Sequence, residues 1–514
     1  MISIGRKPLS VNNLKSIVFD GDKLSLDAVA LTKAAQSHRF LKDFSKGKLI
    51  YGINTGFGPM AQYKIHDKDL KQLQYNLIRS HCSGQGAILS PQETRALMVV
   101  RLNSLMQGYS GVSVELLKLL KDLINRDIYP CIYEHGGVGA SGDLVQLAHL
   151  ALGLIGEGRV WYKGQPADTA TVFKKEKIKA LTIQHREGIA VLNGTSAMTG
   201  LGVINLIHAR RLTNWSVVLS SMINEIVEAF DDHFSAELNH LKPHPGQQQI
   251  AAAMRKIVSK SKLIKKRNDV LYNSKHVEKL DVVTEKVQEY YSLRCVPQIL
   301  GPVLDTIRYA ESVVTGEINS VNDNPVIDAA SGNVFHGGNF HGDYVALEMD
   351  KLKIAVTKMA MLSERQLNYL LNDKLNQKLP PFLNLGTLGL NYGMQGMQFT
   401  ATSTVAESQA LSNPVYVHSI PNNNDNQDVV SMGTNAAIIT RRVIDNAYEV
   451  MAIHALAVMQ AADALRCTSK LSPFSAGVYK SIRKVAPVIT HDLPAYDTIR
   501  NVREFLRKEE LNII

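Results

Sequence analysis

The segment GGVGASGDL, Gly136–Leu144, admits two kinds of chemistry. Gly137, Gly139 and Gly142 fit G-x-G-x-x-G, the turn that brings backbone close to a dinucleotide pyrophosphate at a helix N-terminus. That turn needs a hydrophobic strand before it, a parallel strand after its helix and an acid at the end of that strand. Here Tyr133-Glu134-His135-Gly136-Gly137 interrupts any preceding strand, and the following sequence reads as helix, so no nucleotide is expected. The other chemistry lies in Ala140-Ser141-Gly142. A tight bend presses the Gly142 nitrogen against the Ala140 carbonyl carbon; ring closure with loss of two waters leaves an exocyclic methylidene, 4-methylideneimidazole-5-one. No ordinary side chain supplies such an electrophile, and glycine suits the third position because it lacks a Cβ. In isolation, however, Ala-Ser-Gly is ordinarily a plain turn.

Other residue clusters carry less. His336 and His341 in HGGNFHGD stand five apart with glycines between them, unlike the i, i+4 pair of helical zinc sites, so no metal is expected. Cys82, Cys131, Cys295 and Cys467 are dispersed and form no C-x-x-C pair, which fits a reducing cytoplasm rather than a zinc or disulfide framework. Asn193-Gly194-Thr195 is formally a glycosylation acceptor, but the N-terminus lacks the pattern of a secretory signal. The net charge of +10 peaks over Arg255–Val270, where no aromatic residue is interleaved to stack on bases. That stretch reads as a solvated face, and neither nucleic acid nor membrane is expected as a partner.

The elements that must position these residues are mainly helical. Of the 514 residues, 45% are hydrophobic and 20% charged, ordinary for a large globular chain. Leu49–Met60 reads as a glycine-rich loop after a short strand-like run, and Leu70–Ile124 shows apolar residues every three or four positions. A helix is expected from about Ser141–Asp143, with Asp143 at the positive end of its dipole. RVWYKGQPADTATVF reads as a small hairpin with a loop. The proline-free stretches Gly342–Asp373 and Val429–Arg466 predict two long helices whose small residues permit close packing. The expected fold is mainly α: a long-helix bundle core over 201–514, and a smaller mixed N-terminal region over 1–200 that carries the Ala-Ser-Gly loop, with no independent linker.

Eight motifs give that loop its company: YGINTGFG, SHCSGQG, HGGVGASGDLVQLAHLALGLIGEG, LNGTSAMTG, VQEYYSLRCVPQILGP, NDNPVID, HGGNFHGD and NNNDNQDVVSMGTNAA occur in that order. From about Tyr51 to Arg466 the chain resembles the histidine/phenylalanine/tyrosine ammonia-lyase family, most of all its bacterial tyrosine ammonia-lyases. The resemblance implies loss of ammonia from an α-amino acid through the methylidene formed by Ala140, Ser141 and Gly142; attack on it by the amine or by the aromatic ring remains open. It also implies a homotetramer with shared active sites. Tyr51 matches the base that takes the β-proton, although a tyrosine packed at a loop edge has the same local pattern. A phenol is only about 0.1% ionised at neutral pH, so nearby cations or helix N-termini are expected to favour its anion. Arg294 matches the arginine that grips the substrate carboxylate, where an isolated arginine ordinarily makes a structural ion pair. Tyr291 shares its face if the stretch is helical. Asn193 matches the residue bonding the prosthetic ring's carbonyl; Asn324, Asn426 and Phe340 match residues around the substrate. A buried structural role competes for these four.

Two positions bear on which amino acid is bound. His81 occupies the family's selectivity position, where relatives that prefer phenylalanine carry an apolar ring; a histidine favours tyrosine or histidine as substrate. A buried donor stranded by a plain phenyl ring costs about 1–3 kcal/mol. Gln427, by alignment of NQDVVSMG from its end, replaces a glutamate of the histidine enzymes, and a neutral amide cannot match a carboxylate's bond to imidazole. Tyrosine is therefore the expected substrate, histidine the alternative, and an aromatic aminomutase, which re-adds ammonia at the β-carbon, a further one.

Overall fold

The computed structural model describes residues 1–272, 282 and 286–514, and these are mostly helical. They form two compact units, each drawn from three stretches of chain: Met1–Ile207, Ala310–Lys351 and Pro414–Arg441 in the first, His208–Tyr309, Leu352–Asn413 and Arg442–Ile514 in the second. Four long helices, Ser196–Ile226, Val296–Ile318, Asp343–Leu371 and Gly433–Ala464, contribute residues to both units.

In the first unit, local signals set the helix starts. Ser90 and Glu93 form a reciprocal capping box with Pro91 at the first helical position of Pro91–Met106. This helix is buried on every side, and its polar residues Arg101 and Asn103 bond to groups far away in the chain. Leu70–His81 is amphipathic instead: Gln74, Leu77 and Ile78 are buried, while Asn76 and Ser80 are exposed. It packs with Leu144–Leu154 and Glu187–Leu192 into a three-helix nest. The sheets are small. Among the described strands, only Ile2–Ile4 and Leu24–Leu26 pair in parallel.

Three local expectations need correction. No strand precedes the loop Leu49–Met60: the helix Ala28–Phe44 runs up to it, Leu49 is exposed, and Ile50 is buried as an anchor. Tyr133–His135 is itself a strand, antiparallel to Gln85–Ile88, so no dinucleotide-type parallel unit surrounds the glycine string. Asp143 is the N-cap residue of the helix Leu144–Leu154, as expected, but its carboxylate makes no cap bond there and instead accepts from Ala197 N (2.8 Å) and Met198 N (2.9 Å), at the start of the helix Ser196–Ile226. It thus stands at the N-termini of two helices. RVWYKGQPADTATVF does form a hairpin, Arg159–Tyr162 with Gln165–Asp168, turning through left-handed Lys163 and Gly164. Its tail is the helix Thr169–Glu176 rather than a loop.

The second unit buries Trp215 and Tyr448 and is tied to the helix Tyr496–Lys508. Trp215 Nε1 donates to Leu506 O (3.1 Å), Arg507 pairs with Asp445 (2.6 Å) and Arg503 with Glu449 (3.0 Å). The basic stretch also finds partners here: Lys265 pairs with Glu228, and Arg267 pairs with Asp232.

Candidate active site

Ala140-Ser141-Gly142 is held as a taut bend. Gly139 (φ +78°) and Gly142 (φ +71°) are left-handed, and neither has room for a side chain. A Cβ on Gly142 would lie 2.0 Å from Gly194 O, and one on Gly139 2.0 Å from Ser431 Oγ. Glycine is required at both positions by conformation and by space. Asp143 N donates to Gly194 O (2.8 Å), joining the bend to the Asn193-Gly194-Thr195 turn. Ala140 is buried, and the Ser141 hydroxyl accepts from Gln427 Nε2 (2.9 Å).

A layer of buried charge supports this bend. Arg186 and Asp323, both fully buried, form a two-pronged pair (2.8 and 3.0 Å), and Arg186 also donates to Asn324 O (3.1 Å). Arg101 donates to Asn322 Oδ1 (3.0 Å) and Ala190 O. Burial brings Arg101 down to about 10 and pushes Asp143 up to about 6, against the pull of Thr434, Met198 and Ala197. Glu317, which accepts from Thr195 Oγ1, is likewise raised by burial.

Above the bend opens a cavity of about 620 Å³, large enough for an aromatic amino acid and lined entirely by the first unit. Tyr51, His81, Ser141, Asn193, Asn324, Phe340, Asn426 and Gln427 all line it. Tyr51 Oη accepts from Gly58 N (3.2 Å), the first residue of a single 3-10 turn, and its ring meets Phe57 edge-on. The phenol oxygen is thus met by a backbone donor. Asn324 Oδ1 accepts from Gly337 N (3.0 Å), fixing the loop that carries Phe340. Gln427 sits beyond a tight turn in which Asn423, Asn424 and Asp425 are all left-handed, a conformation that Asn and Asp tolerate.

Two side chains differ in detail from expectation. His81 Nδ1 lies 2.9 Å from Leu77 O, which only accepts, so Nδ1 carries the proton and Nε2 of the neutral ring is an acceptor. The expected stranded donor is a stranded acceptor, because a helix carbonyl four residues back claims the other nitrogen. Asn193 spends both amide hydrogens on Asp323 Oδ1 (3.1 Å) and Asn324 O (3.2 Å); donation to a ring carbonyl means exchanging one of them.

Tyr291 and Arg294 do not line this cavity. They stand on the short helix Tyr291–Arg294 of the second unit, stacked on each other with 4.7 Å from guanidinium to ring centroid. Arg294 bonds Gln288, and Tyr291 is 69% exposed at a groove shared with Lys286, Glu289 and Tyr369. Among the described residues, no three His, Cys, Asp or Glu side chains gather as a metal site, and no helix is long and apolar enough to cross a membrane.

A family model described as "Aromatic amino acid lyase" matches residues 9–484. The chain belongs to the aromatic amino acid lyase family. Among its relatives, a tyrosine ammonia-lyase of Cupriavidus metallidurans is 37% identical over 513 residues, 96% of each chain. A "MIO-dependent tyrosine 2,3-aminomutase" of Streptomyces globisporus is 36% identical over 516 residues, covering 99% of this chain and 95% of that one. The crystal structure of a tyrosine aminomutase from that organism superposes with a TM-score of 0.95 over 98% of this chain and 96% of the other, at 36% identity.

For this aromatic amino acid lyase, sequence reasoning missed several parts of the site. Gly58 was legible only as one glycine of NTGFG; nothing local says that its N–H meets a phenol seven residues back. His336, dismissed as a metal ligand, lines the cavity. Arg101 and Arg186 carry no motif, and only burial reveals them.

Proposed function

We propose that this carbon–nitrogen lyase acts on L-tyrosine, giving 4-coumarate and ammonia. The observation that carries the reading is the convergence of Tyr51, His81, Ser141 and Gln427, from four distant stretches of sequence, on one cavity. The tripeptide fits the expected prosthetic group: left-handed Gly142 has no room for a Cβ, and the Ser141 hydroxyl stands at the cavity wall. In its formation the Gly142 nitrogen bonds to the Ala140 carbonyl carbon. The carbonyl oxygen leaves as water with the Gly142 and Ser141 amide protons. The Ser141 hydroxyl leaves as a second water with the Ser141 Cα proton.

The methylidene-imidazolone so formed supplies an electrophilic carbon that makes ammonia a better leaving group. The remaining work falls to side chains. Tyr51 takes the substrate's β-proton, and a base so placed is worth about 10²–10⁴ in rate. His81 Nε2 accepts the phenol O–H, which orients the ring and selects against phenylalanine. Gln427 holds the Ser141 side and offers no charge to an imidazole substrate. Arg294 and Tyr291 reach the substrate carboxylate from another copy of the chain in a homotetramer, a role supported by the exposure of Tyr291, the partial exposure of Arg294 and the absence of both from this cavity's lining.

A second reading, a tyrosine 2,3-aminomutase, is favoured by relatives of that name at similar identity. Incubation with L-tyrosine, followed by assay of 4-coumarate and β-tyrosine, separates the two; lyase chemistry leaves 4-coumarate dominant. Predominant β-tyrosine, or urocanate formed faster from L-histidine, overturns the proposal.

A further inference from the structure

We propose that the Ser431–Thr434 turn is a clamp that holds both ends of Ala140-Ser141-Gly142 at the separation ring closure needs, with Ser431 and Thr434 as positioning residues. The inference rests on reading that tripeptide as the precursor of the electrophile. On the upstream side, Ser431 Oγ donates to Gly139 O (3.0 Å), Gly342 N donates to the same oxygen (3.2 Å), and Met432 N donates to Val138 O (3.0 Å). On the downstream side, Thr434 Oγ1 donates to Asp143 Oδ1, whose other carboxylate oxygen takes the amides of Ala197 and Met198. One four-residue turn therefore grips the residues that flank the tripeptide on each side.

Neither grip has slack. Ser431 and Thr434 are fully buried, and the hypothetical Cβ atoms on Gly139 and Gly142 would each meet a neighbour at 2.0 Å. Between the two hydroxyl residues, Met432 has φ +54°, an uncommon conformation for a residue with a side chain; it lies where the chain turns from Gly139 toward Asp143. Thr434 is the second residue of the 32-residue helix Gly433–Ala464, so its hydroxyl is carried on a rigid element.

The two hydroxyls act differently. Ser431 binds a neutral carbonyl. Thr434 binds a buried carboxyl that burial lifts to about 6, with Thr434 and the two amides opposing the rise and Glu317 adding to it; Arg101 is the cation that senses it. Loss of the Thr434 donor leaves the anion less favoured, so Asp143 takes its proton at higher pH and its grip on Ala197 and Met198 weakens. Loss of Ser431 has no such titration.

The test follows ring closure itself, by intact mass and peptide mapping of the full chain sampled over time during cell-free synthesis, with thermal unfolding of each product. The variants are Thr434→Ser, Thr434→Val, Thr434→Ala and Ser431→Ala, each across pH 5–9. Thr434→Ser, which keeps the donor, should lose its two waters at the wild-type rate. Thr434→Val and Thr434→Ala should be slower at neutral pH by roughly tenfold or more, the worth of one hydrogen bond to a charged group, with a pH profile displaced upward. Ser431→Ala should be slower at every pH, with no displacement. A fully cyclised wild type whose variants close at its rate overturns the clamp alone. A wild type that retains both waters overturns the reading of the tripeptide, and the clamp with it.

Discussion

At the scale of single residues, the cavity's polar atoms divide the labour, and each division can be measured. Tyr51→Phe removes the proposed proton acceptor but not the proposed electrophile, so kcat should fall by about 10²–10⁴ while the two-water mass deficit remains. If activity survives, another base is at work. His81→Phe removes the acceptor at Nε2; the ratio of kcat/KM for phenylalanine over tyrosine should rise at least about tenfold, because the phenol O–H loses its partner and the phenyl ring no longer strands one. Gln427→Glu sets a carboxylate beside Ser141 and should raise kcat/KM for histidine relative to tyrosine. An unchanged ratio would mean that imidazole never reaches this side of the cavity.

The long helices carry a different liability, since they bury ionisable groups that the cavity does not use. His454, within Gly433–Ala464, is completely buried, and both ring nitrogens lack a hydrogen-bond partner. Burial brings it down to about 3. His208 falls to about 3 through burial and the nearby Arg507 and Arg211, and His233, on the 3-10 turn Asp232–Phe234 rather than on a long helix, to about 4 through burial. Each stays neutral in the fold, whereas the unfolded chain takes up a proton near pH 6.5. Their effect is absent above about pH 6.5, and stability is lost as pH falls from there toward 3–4, by up to about 1.4 kcal/mol per pH unit per histidine. Asp143 and Glu317 act in the opposite sense, because folding raises them. The difference between wild type and His454→Leu isolates one histidine. Denaturant unfolding should show the variant gaining on wild type as pH falls from 6.5 to 4.5, and parallel pH dependences would refute the assignment.

For the whole molecule, the chain divides the proposed catalytic set between its two units. Tyr51, His81 and Ser141 belong to the first and line the cavity, while Tyr291 and Arg294 belong to the second and do not. The proposed homotetramer with shared sites would resolve this division. Tyr51→Phe and Arg294→Ala proteins, each nearly inactive, should regain activity when refolded together, because mixed assemblies contain some sites with both residues intact. Sedimentation should give a tetramer. A fully active monomer, or no recovery in mixtures of confirmed heteromers, refutes the shared site.

What the sequence by itself determined is local or periodic. Proline-free stretches with small residues foretold the helices Asp343–Leu371 and Gly433–Ala464, because helix formation and its interruption are decided within a few turns. The glycines around Ala140-Ser141-Gly142 signalled a bend, because only glycine accepts those dihedrals and that crowding. Ordered motifs marked Tyr51, His81, Asn193 and Gln427. Only the tertiary structure decided which atoms face one another. The Asp143 carboxylate bonds the helix Ser196–Ile226 rather than the one it begins, and Leu77 O selects the proton-bearing nitrogen of His81. Gly58 N meets the Tyr51 phenol, and Ser431 and Thr434 reach the residues flanking the tripeptide from nearly three hundred residues away. Such contacts arise from packing between elements distant in the chain, and a directional hydrogen bond depends on the final position of both partners, which no local pattern encodes.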